Sequence, residues 1–176
     1  MQQIGFEESL SIGGVPAHDF FGDGSLSLLN TPGHMKSHMC GLARVPTDPS
    51  RFVFMVGDIA HHPGQIRPSS YRPLPVSRPG LRLSRCDEEV RASNSGLEEP
   101  FYEPSPGVHY NLNILQESLE AVRKFDGDYR VLILLAHDAS VREYLDLFPN
   151  RIDKAFEKST RDQIQWEFLK GLESAS

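Results

Sequence analysis

Three stretches within the first 60 residues carry the pattern of β-strands. Residues 25–30 alternate between apolar and polar positions, while residues 40–45 and 52–56 form short and mostly apolar runs. Alternation of this kind, or a short apolar run closed by a turn residue such as Gly57, is typical of a strand. We therefore predict three short strands before position 60.

The second half of the chain combines helical and strand patterns. Apolar residues recur at steps of three or four positions in one segment, which predicts an amphipathic helix that begins at Asn111 or Asn113. Its apolar positions are Leu112, Leu115, Leu119, Val122 and Phe125. Residues 131–136 are apolar on both faces, as in a strand covered by layers on both sides. A last helix is predicted over residues 159–172, so that the whole pattern indicates a mixed α/β (α+β) sandwich.

Prolines interrupt these patterns in the middle of the chain. Eight of the 13 prolines lie between positions 63 and 106, and proline disrupts both helices and central strands. We therefore predict an irregular insertion over residues 63–108 of an otherwise single domain, 1–176, where a lid or linker is the usual structure. Its five arginines from Arg67 to Arg85 are expected to be solvated and neutralised by the acidic residues after them, with binding of an anionic substrate or RNA as the alternative.

Length and charge limit the function classes. A chain of 176 residues suits one domain, and its net charge of -6 argues against a general nucleic-acid binder. The longest apolar run is too short to cross a bilayer, and no basic segment followed by an apolar run marks a secretory signal. Two cysteines, Cys40 and Cys86, do not form a disulfide framework. We expect a cytoplasmic protein without nucleic-acid or membrane partners.

Each of the three strongest predicted strands ends in an abrupt turn that carries histidine or carboxylate side chains. They are His34 and His38 after the first, Asp58 and His61 after the second, and His137 and Asp138 after the third. Groups at strand ends of open α/β sheets converge on one site, and imidazole with carboxylate suits zinc. The alternative is that these are structural residues, since a single histidine at a strand end more often only accepts or donates hydrogen bonds.

Other candidate sites are weaker. The chain has no G-x-S-x-G elbow and no G-x-x-x-x-G-K-[ST] loop, which argues against a serine hydrolase and against P-loop phosphoryl transfer. Cys40 is expected to be a small buried strand residue. His62 is expected to be a solvent-facing neighbour of the site or a stray ligand, and His109 a loop residue.

The three turns, taken in order, resemble the last three metal-binding motifs of the metallo-β-lactamase fold superfamily. TPGHMKSH follows one strand, GD closes the next, and AHD follows a third. The earlier segment AHDFFGDGSLSLLN resembles the strand pair before these motifs in lactonase-like members and uncharacterised hydrolases. The resemblance covers residues 10–66 and 110–148. It implies the C-terminal portion of a four-layer αββα sandwich, with a mixed sheet and helices on one face.

The resemblance also implies a role for each motif residue. His34 would be a ligand of the first of two zinc ions, Asp58 the carboxylate that bridges both, and His137 the last ligand of the second. His38 and Asp138 would support the ligands from the second coordination layer.

The activity implied by the resemblance is hydrolysis of a small molecule. A metal-bound hydroxide would attack the carbonyl of an ester, lactone, thioester or amide, and the AHD form of the last motif favours lactones. In lactonase-like members a catalytic tyrosine stands three residues after the bridging aspartate. Here that position holds His61, whose implied role is to donate a proton or stabilise an oxyanion.

One motif of the superfamily is absent. HxHxDH, which normally lies in the N-terminal half and supplies ligands to both zinc ions, does not occur in this sequence. We therefore expect incomplete zinc coordination and a truncated domain that is not competent alone. A half-sandwich would expose a sheet face, so we expect instability or self-association. The alternative function is a catalytically inactive fragment or interaction module that retains the half-fold.

Overall fold

A six-stranded mixed sheet forms the centre of the computed structural model, which describes residues 4–6, 10–75 and 97–170. Its strands lie side by side in chain order: β1 (Ser11–Ile12), β2 (Val15–Asp19), β3 (Leu26–Asn30), β4 (Met39–Val45), β5 (Arg51–Gly57) and β6 (Val131–Leu135). The first five strands form an antiparallel meander, and β6 runs parallel to β5. The four predicted strands are confirmed, and the hairpin of β1 and β2 precedes them.

Two α-helices and three short 3₁₀ helices complete the described elements. They are α1 (Leu112–Gly127), α2 (Lys158–Trp166) and the 3₁₀ helices Pro63–Gln65, Ala139–Tyr144 and Ile152–Phe156. The side chain of Asn111 accepts backbone hydrogen bonds from Asn113 and Ile114, so of the two predicted caps, Asn111 and Asn113, Asn111 caps α1. The predicted last helix, 159–172, is confirmed over Lys158–Trp166; residues 167–168 form a turn, 169–170 are again helical, and 171–172 lie outside the described residues. None of the described helices is both long and apolar enough to cross a bilayer, and the cytoplasmic location stays a prediction.

Helical segments cover both faces of the sheet. Neighbouring residues of a strand point to opposite faces. Phe54 of β5 packs in the same apolar core as Leu119 of α1, whereas Val53 packs with Ile164 of α2. The mixed α+β class is confirmed, but its helices are not restricted to one face as the resemblance implied. The physical reason lies in β6, where Leu132 and Ile133 are both buried and therefore require cover on both sides.

The described parts of the insertion, residues 63–75 and 97–108, are anchored to the domain. Arg67 is only 1% exposed, and its guanidinium donates hydrogen bonds of 2.9 and 2.6 Å to the carboxylate of Asp126 on α1. The expectation of a solvated arginine is therefore wrong for Arg67. Its counter-charge comes from a buried helix residue rather than from the acidic residues that follow. Residues 76–96, including Cys86 and the later arginines, lie outside the described residues.

Candidate metal centre

The turns after β3, β5 and β6 meet at one edge of the sheet. β3 and β5 both run antiparallel to β4, and β6 runs parallel to β5, so the three strands end on the same side. This edge brings together the candidate residues that the sequence placed at the strand ends. A further histidine, His109, reaches the same place from the segment before α1.

Asp58 and His137 are in direct contact. Oδ1 of Asp58 lies 2.8 Å from Nε2 of His137, and both side chains are about half exposed. His61 is the third member of the group, because one ligand atom from each of the three residues lies within 4.8 Å of the other two. Three donors this close can turn toward a single divalent ion, whose bonds to nitrogen and oxygen are about 2.0–2.2 Å long.

His38 lies behind Asp58 and joins two turns. Its Nε2 accepts a 3.2 Å hydrogen bond from the backbone N–H of Asp58, and its Nδ1 lies 3.1 Å from the carbonyl oxygen of Thr31. Since Nε2 accepts, Nδ1 carries the proton and donates it. Burial lowers the pKa of His38, which favours this neutral form. These contacts are those of a supporting residue, and the role of His38 toward a metal ligand stays a prediction.

The position of His61 is set by the 3₁₀ helix that follows it. The side-chain oxygen of Gln65 accepts hydrogen bonds from the backbone N–H groups of His61, at 2.7 Å, and of His62, at 3.1 Å. The ring of His61 then lies 5.2 Å, between ring centroids, from the rings of both His34 and His137. Burial first, and then the charges of these two rings, lower the pKa of His61.

His34 contacts His109 rather than Asp58. The two Nδ1 atoms are 3.1 Å apart although 75 residues separate them. Burial, followed by the charges of His34 and His61, lowers the pKa of His109. The sequence interpretation of His109 as a loop residue missed this contact. The only sequence feature close to His109 was the cap at Asn111. This cap marks where α1 begins but does not show which residues the segment before α1 contacts.

The two remaining candidates cap 3₁₀ helices. The carboxylate of Asp138 accepts a 3.1 Å hydrogen bond from the backbone N–H of Ser140, and Nδ1 of His62 accepts a 3.0 Å hydrogen bond from the backbone N–H of Gly64. His62 is half-buried rather than simply solvent-facing. Support of His137 by Asp138 stays a prediction.

A cavity of about 440 Å³ opens beside this edge. Its walls include His137, Asp138, Ser140, Phe168 and Lys170, and its volume is in the usual range for small-molecule sites. A second cavity, of about 500 Å³, lies at the opposite end of the strands. Of these two cavities, only the one of about 440 Å³ is lined by a member of the group Asp58, His61 and His137, so we associate this cavity with the candidate site.

Comparison with known proteins gives curated relatives but no matching family model and no matching solved structure. A metallo-hydrolase from Annulohypoxylon moriforme is 36% identical in an alignment of 172 positions that covers 96% of this chain and 46% of that protein. A gamma-lactamase from Fusarium pseudograminearum is 36% identical in an alignment of 171 positions, gaps included, that covers 92% of this chain and 41% of that protein. A cytochrome P450 monooxygenase from Penicillium roqueforti is 35% identical in an alignment of 179 positions, gaps included, that covers 99% of this chain and 20% of that protein. The chain spans about half the length of the first two relatives.

Proposed function

Because the chain is homologous to the C-terminal part of hydrolases of the metallo-β-lactamase family, we propose that it forms the corresponding part of a metal-dependent hydrolase. One observation carries this function: Asp58, His61 and His137 present ligand atoms within 4.8 Å of one another where two parallel strands end. Relatives named metallo-hydrolase and gamma-lactamase support hydrolysis as the reaction class.

The donor set of this edge suits zinc. Imidazole nitrogen and carboxylate oxygen are ligands that zinc prefers, and we propose His34, Asp58 and His137 as ligands, with Asp58 as the bridge between two ions in the complete fold. A bound ion of this kind lowers the pKa of water and polarises a carbonyl oxygen. His61 and His109 have lowered pKa values, so their neutral rings keep a lone pair near pH 7. In this chain by itself we propose that zinc coordination is incomplete, because HxHxDH is absent.

We propose a small-molecule substrate with a hydrolysable carbonyl, such as a lactone or a lactam, in the cavity beside His137. Lys170 of its wall offers a hydrogen-bond donor, and the buried ring of Phe168 offers an apolar surface. The hydroxyl of Ser140 donates its proton to Asp138 and so offers only an acceptor oxygen. The ring centroid of His61 lies 5.2 Å from that of His137 and 5.2 Å from that of His34. Because its pKa is lowered, the neutral ring donates through a single N–H, which suits stabilisation of an oxyanion better than transfer of a proton.

The test uses a protein of the relatives' full length that contains this chain. Its hydrolysis of a γ-lactam and a γ-lactone is measured before chelation, after chelation, and after zinc is returned. We expect activity to disappear with the metal and to return with zinc. Activity that persists in the metal-free protein would contradict metal dependence. For the chain alone, metal analysis is expected to find well under two zinc ions per molecule, and a stoichiometric pair would contradict the incomplete site.

A second candidate function, an interaction module without catalysis, is favoured by one face of the sheet. Leu28, Gly41, Met55 and Leu134 are successive partners across β3 to β6, on the face opposite α1, and we call them the outer row. Met55 is 43% exposed, and the apolar cluster that contains α2 includes Val53 and packs against Leu134 but does not reach Met55. We propose that a second copy of the chain covers this row, which gives self-association through the sheet face.

A further inference from the structure

We propose that His109 is a metal ligand that works as a pair with His34, beside the group of Asp58, His61 and His137. His109 belongs to none of the three strand-end motifs, and it comes from a segment that the sequence interpretation left as loop. This goes beyond the proposed function, because it concerns binding of a divalent ion by the chain itself, with or without hydrolysis.

The separation of the two rings matches shared coordination. Nδ1 of His34 lies 3.1 Å from Nδ1 of His109. Two nitrogen ligands on one tetrahedral zinc ion, at bond lengths of about 2.0–2.1 Å, are about 3.3 Å apart. The rings therefore need little movement to face the same ion.

The backbone holds the pair in place. The N–H of Tyr110 donates a 2.9 Å hydrogen bond to the carbonyl of His34, and the N–H of Asn111 donates one of 3.1 Å to the carbonyl of Gly33. Gly33 has a φ of +132°, and a Cβ atom there would lie 2.4 Å from the Cα of Leu115. The segment that carries His109 is thus fastened to the turn that carries His34. Such preorganisation reduces the entropy lost on metal binding.

The hydrogen-bonding state of the pair also favours a cation. The two Nδ1 atoms, 3.1 Å apart, have room for at most one proton between them, so at least one Nδ1 lone pair points at the other ring. The second nitrogen of His109, Nε2, is buried and has no hydrogen-bond partner within the described part of the chain. A divalent ion between the two Nδ1 atoms would be bound by one lone pair from each ring, and a ring whose proton lay on Nδ1 would carry that proton on Nε2 instead.

His61 connects this pair to the remaining ligands. Its ring stacks on His109, with centroids 5.5 Å apart and an angle of 18° between planes, and its centroid lies 5.2 Å from that of His137. Four imidazoles and the Asp58 carboxylate therefore surround one small region. This region therefore holds a candidate ligand, His109, in addition to those that the three strand-end motifs supply.

The experiment measures zinc and cobalt binding to the 176-residue chain by calorimetry and by cobalt absorption. We expect His109→Gln and His34→Gln each to weaken binding by at least about tenfold, since loss of even an outer-shell partner costs about 10–100-fold. His18→Gln is the matched control, because His18 lies on β2 outside this cluster, and we expect it to bind within twofold of the unchanged chain. Equal affinity of His109→Gln and the unchanged chain would overturn the proposal.

A second variant separates ligation from a structural hydrogen bond. Cysteine ligates zinc at about 2.3 Å but lacks the imidazole ring, so His109→Cys should retain binding and add one sulfur neighbour in X-ray absorption. If the number of nitrogen atoms around the bound zinc is unchanged in His109→Gln, or if no sulfur neighbour of zinc is found in His109→Cys, then His109 only forms a structural hydrogen bond and is not a ligand. Thermal melts of the metal-free variants check folding, and the zinc-induced rise in Tm should shrink only in His109→Gln and His34→Gln. These readouts involve no hydrolysis, so a full-length protein without activity would overturn the proposed function but not this ligand.

Discussion

The Nε2 atom of His137 lies 2.8 Å from Oδ1 of Asp58, although 79 residues separate them along the chain. The contact follows from the parallel pairing of β5 with β6, in which Gly57 is the register partner of Leu135. Each side chain then extends from the turn directly after its strand. Because the sheet sets this contact, the insertion between the two strands does not need a fixed length.

Replacement of Asp58 tests the shared ligand. In a full-length protein, Asp58→Ala should abolish hydrolysis together with zinc retention. Removal of a residue that only supports a ligand lowers metal affinity by about 10–100-fold, and removal of the ligand itself should lower it further. Asp146→Ala is the matched control, because Asp146 forms a surface ion pair with Lys154 at 3.6 Å, which contributes little. Metal content and lactam hydrolysis are measured on the same samples. Persistence of both in Asp58→Ala would remove Asp58 from the bridging role.

Gly33→Ala should disturb the His34 turn. The added Cβ would lie 2.4 Å from the backbone of Leu115, and the φ of +132° is strained for alanine. We expect a larger fall in the free energy of unfolding than the about 1–2 kcal/mol of a left-handed residue alone. Gly14→Ala is the control, because Gly14 also has a positive φ, +86°, but no atom within 4 Å of the new Cβ. Equal urea midpoints for the two variants would contradict this close approach.

Asp126→Asn should strongly destabilise the fold. The pair of Arg67 and Asp126 is buried, with side chains 2% and 0% exposed, and removal of one partner leaves an uncompensated buried charge at a cost of about 3–5 kcal/mol. Asp153→Asn breaks an exposed pair with Arg151 and should cost less than about 1 kcal/mol. Chemical denaturation measures both. Similar losses would show that the Arg67 pair contributes no more than a surface contact.

The same carboxylate predicts a loss of stability in acid. Burial alone would raise the pKa of Asp126, but the charge of Arg67 and its hydrogen bonds, followed by the charges of Arg72 and Arg161, hold this pKa below its usual value. The unfolded chain, with a pKa of about 3.9 at this residue, therefore binds more protons. The stabilisation of the fold by ionised Asp126 is therefore complete above the unfolded pKa and is lost as pH falls through the folded pKa.

Urea denaturation between pH 2 and pH 6 measures this dependence. The unchanged chain should lose stability toward low pH more steeply than Asp126→Asn, in which the titrating group is absent. Parallel curves for the two proteins would exclude Asp126 as the source of acid sensitivity.

Met55→Glu should reduce self-association. The variant places a charge in the outer row, where Met55 is 43% exposed, and burial of an unpaired charge between two sheets is unfavourable. Leu147→Glu is the control, because Leu147 is also exposed, at 63%, but lies outside the row. Sedimentation measures the mass of each protein over a range of concentrations. A monomeric unchanged chain with a sharp cooperative melt would refute the self-association.

Local patterns in the sequence determined the elements that depend on nearby residues. The five spaced apolar residues and the Asn111 cap predicted α1, and the doubly apolar run of residues 131–136 predicted β6. Periodicity is sufficient for this because a helix or strand places its side chains by position alone. The order of strand-end motifs also indicated which residues meet at one edge, since strands with the same direction end together.

Only the tertiary structure decided which distant residues touch. His109 contacts His34 because backbone hydrogen bonds fasten the start of α1 to Gly33 and His34. Arg67 is buried because Asp126 of α1 offers a counter-charge 59 residues away. Neither contact can be predicted from residue spacing or from the composition of the sequence, because each depends on how separate elements pack. The sequence thus determined what each element is and where its polar turns lie, and three-dimensional packing decided which side chains complete the site.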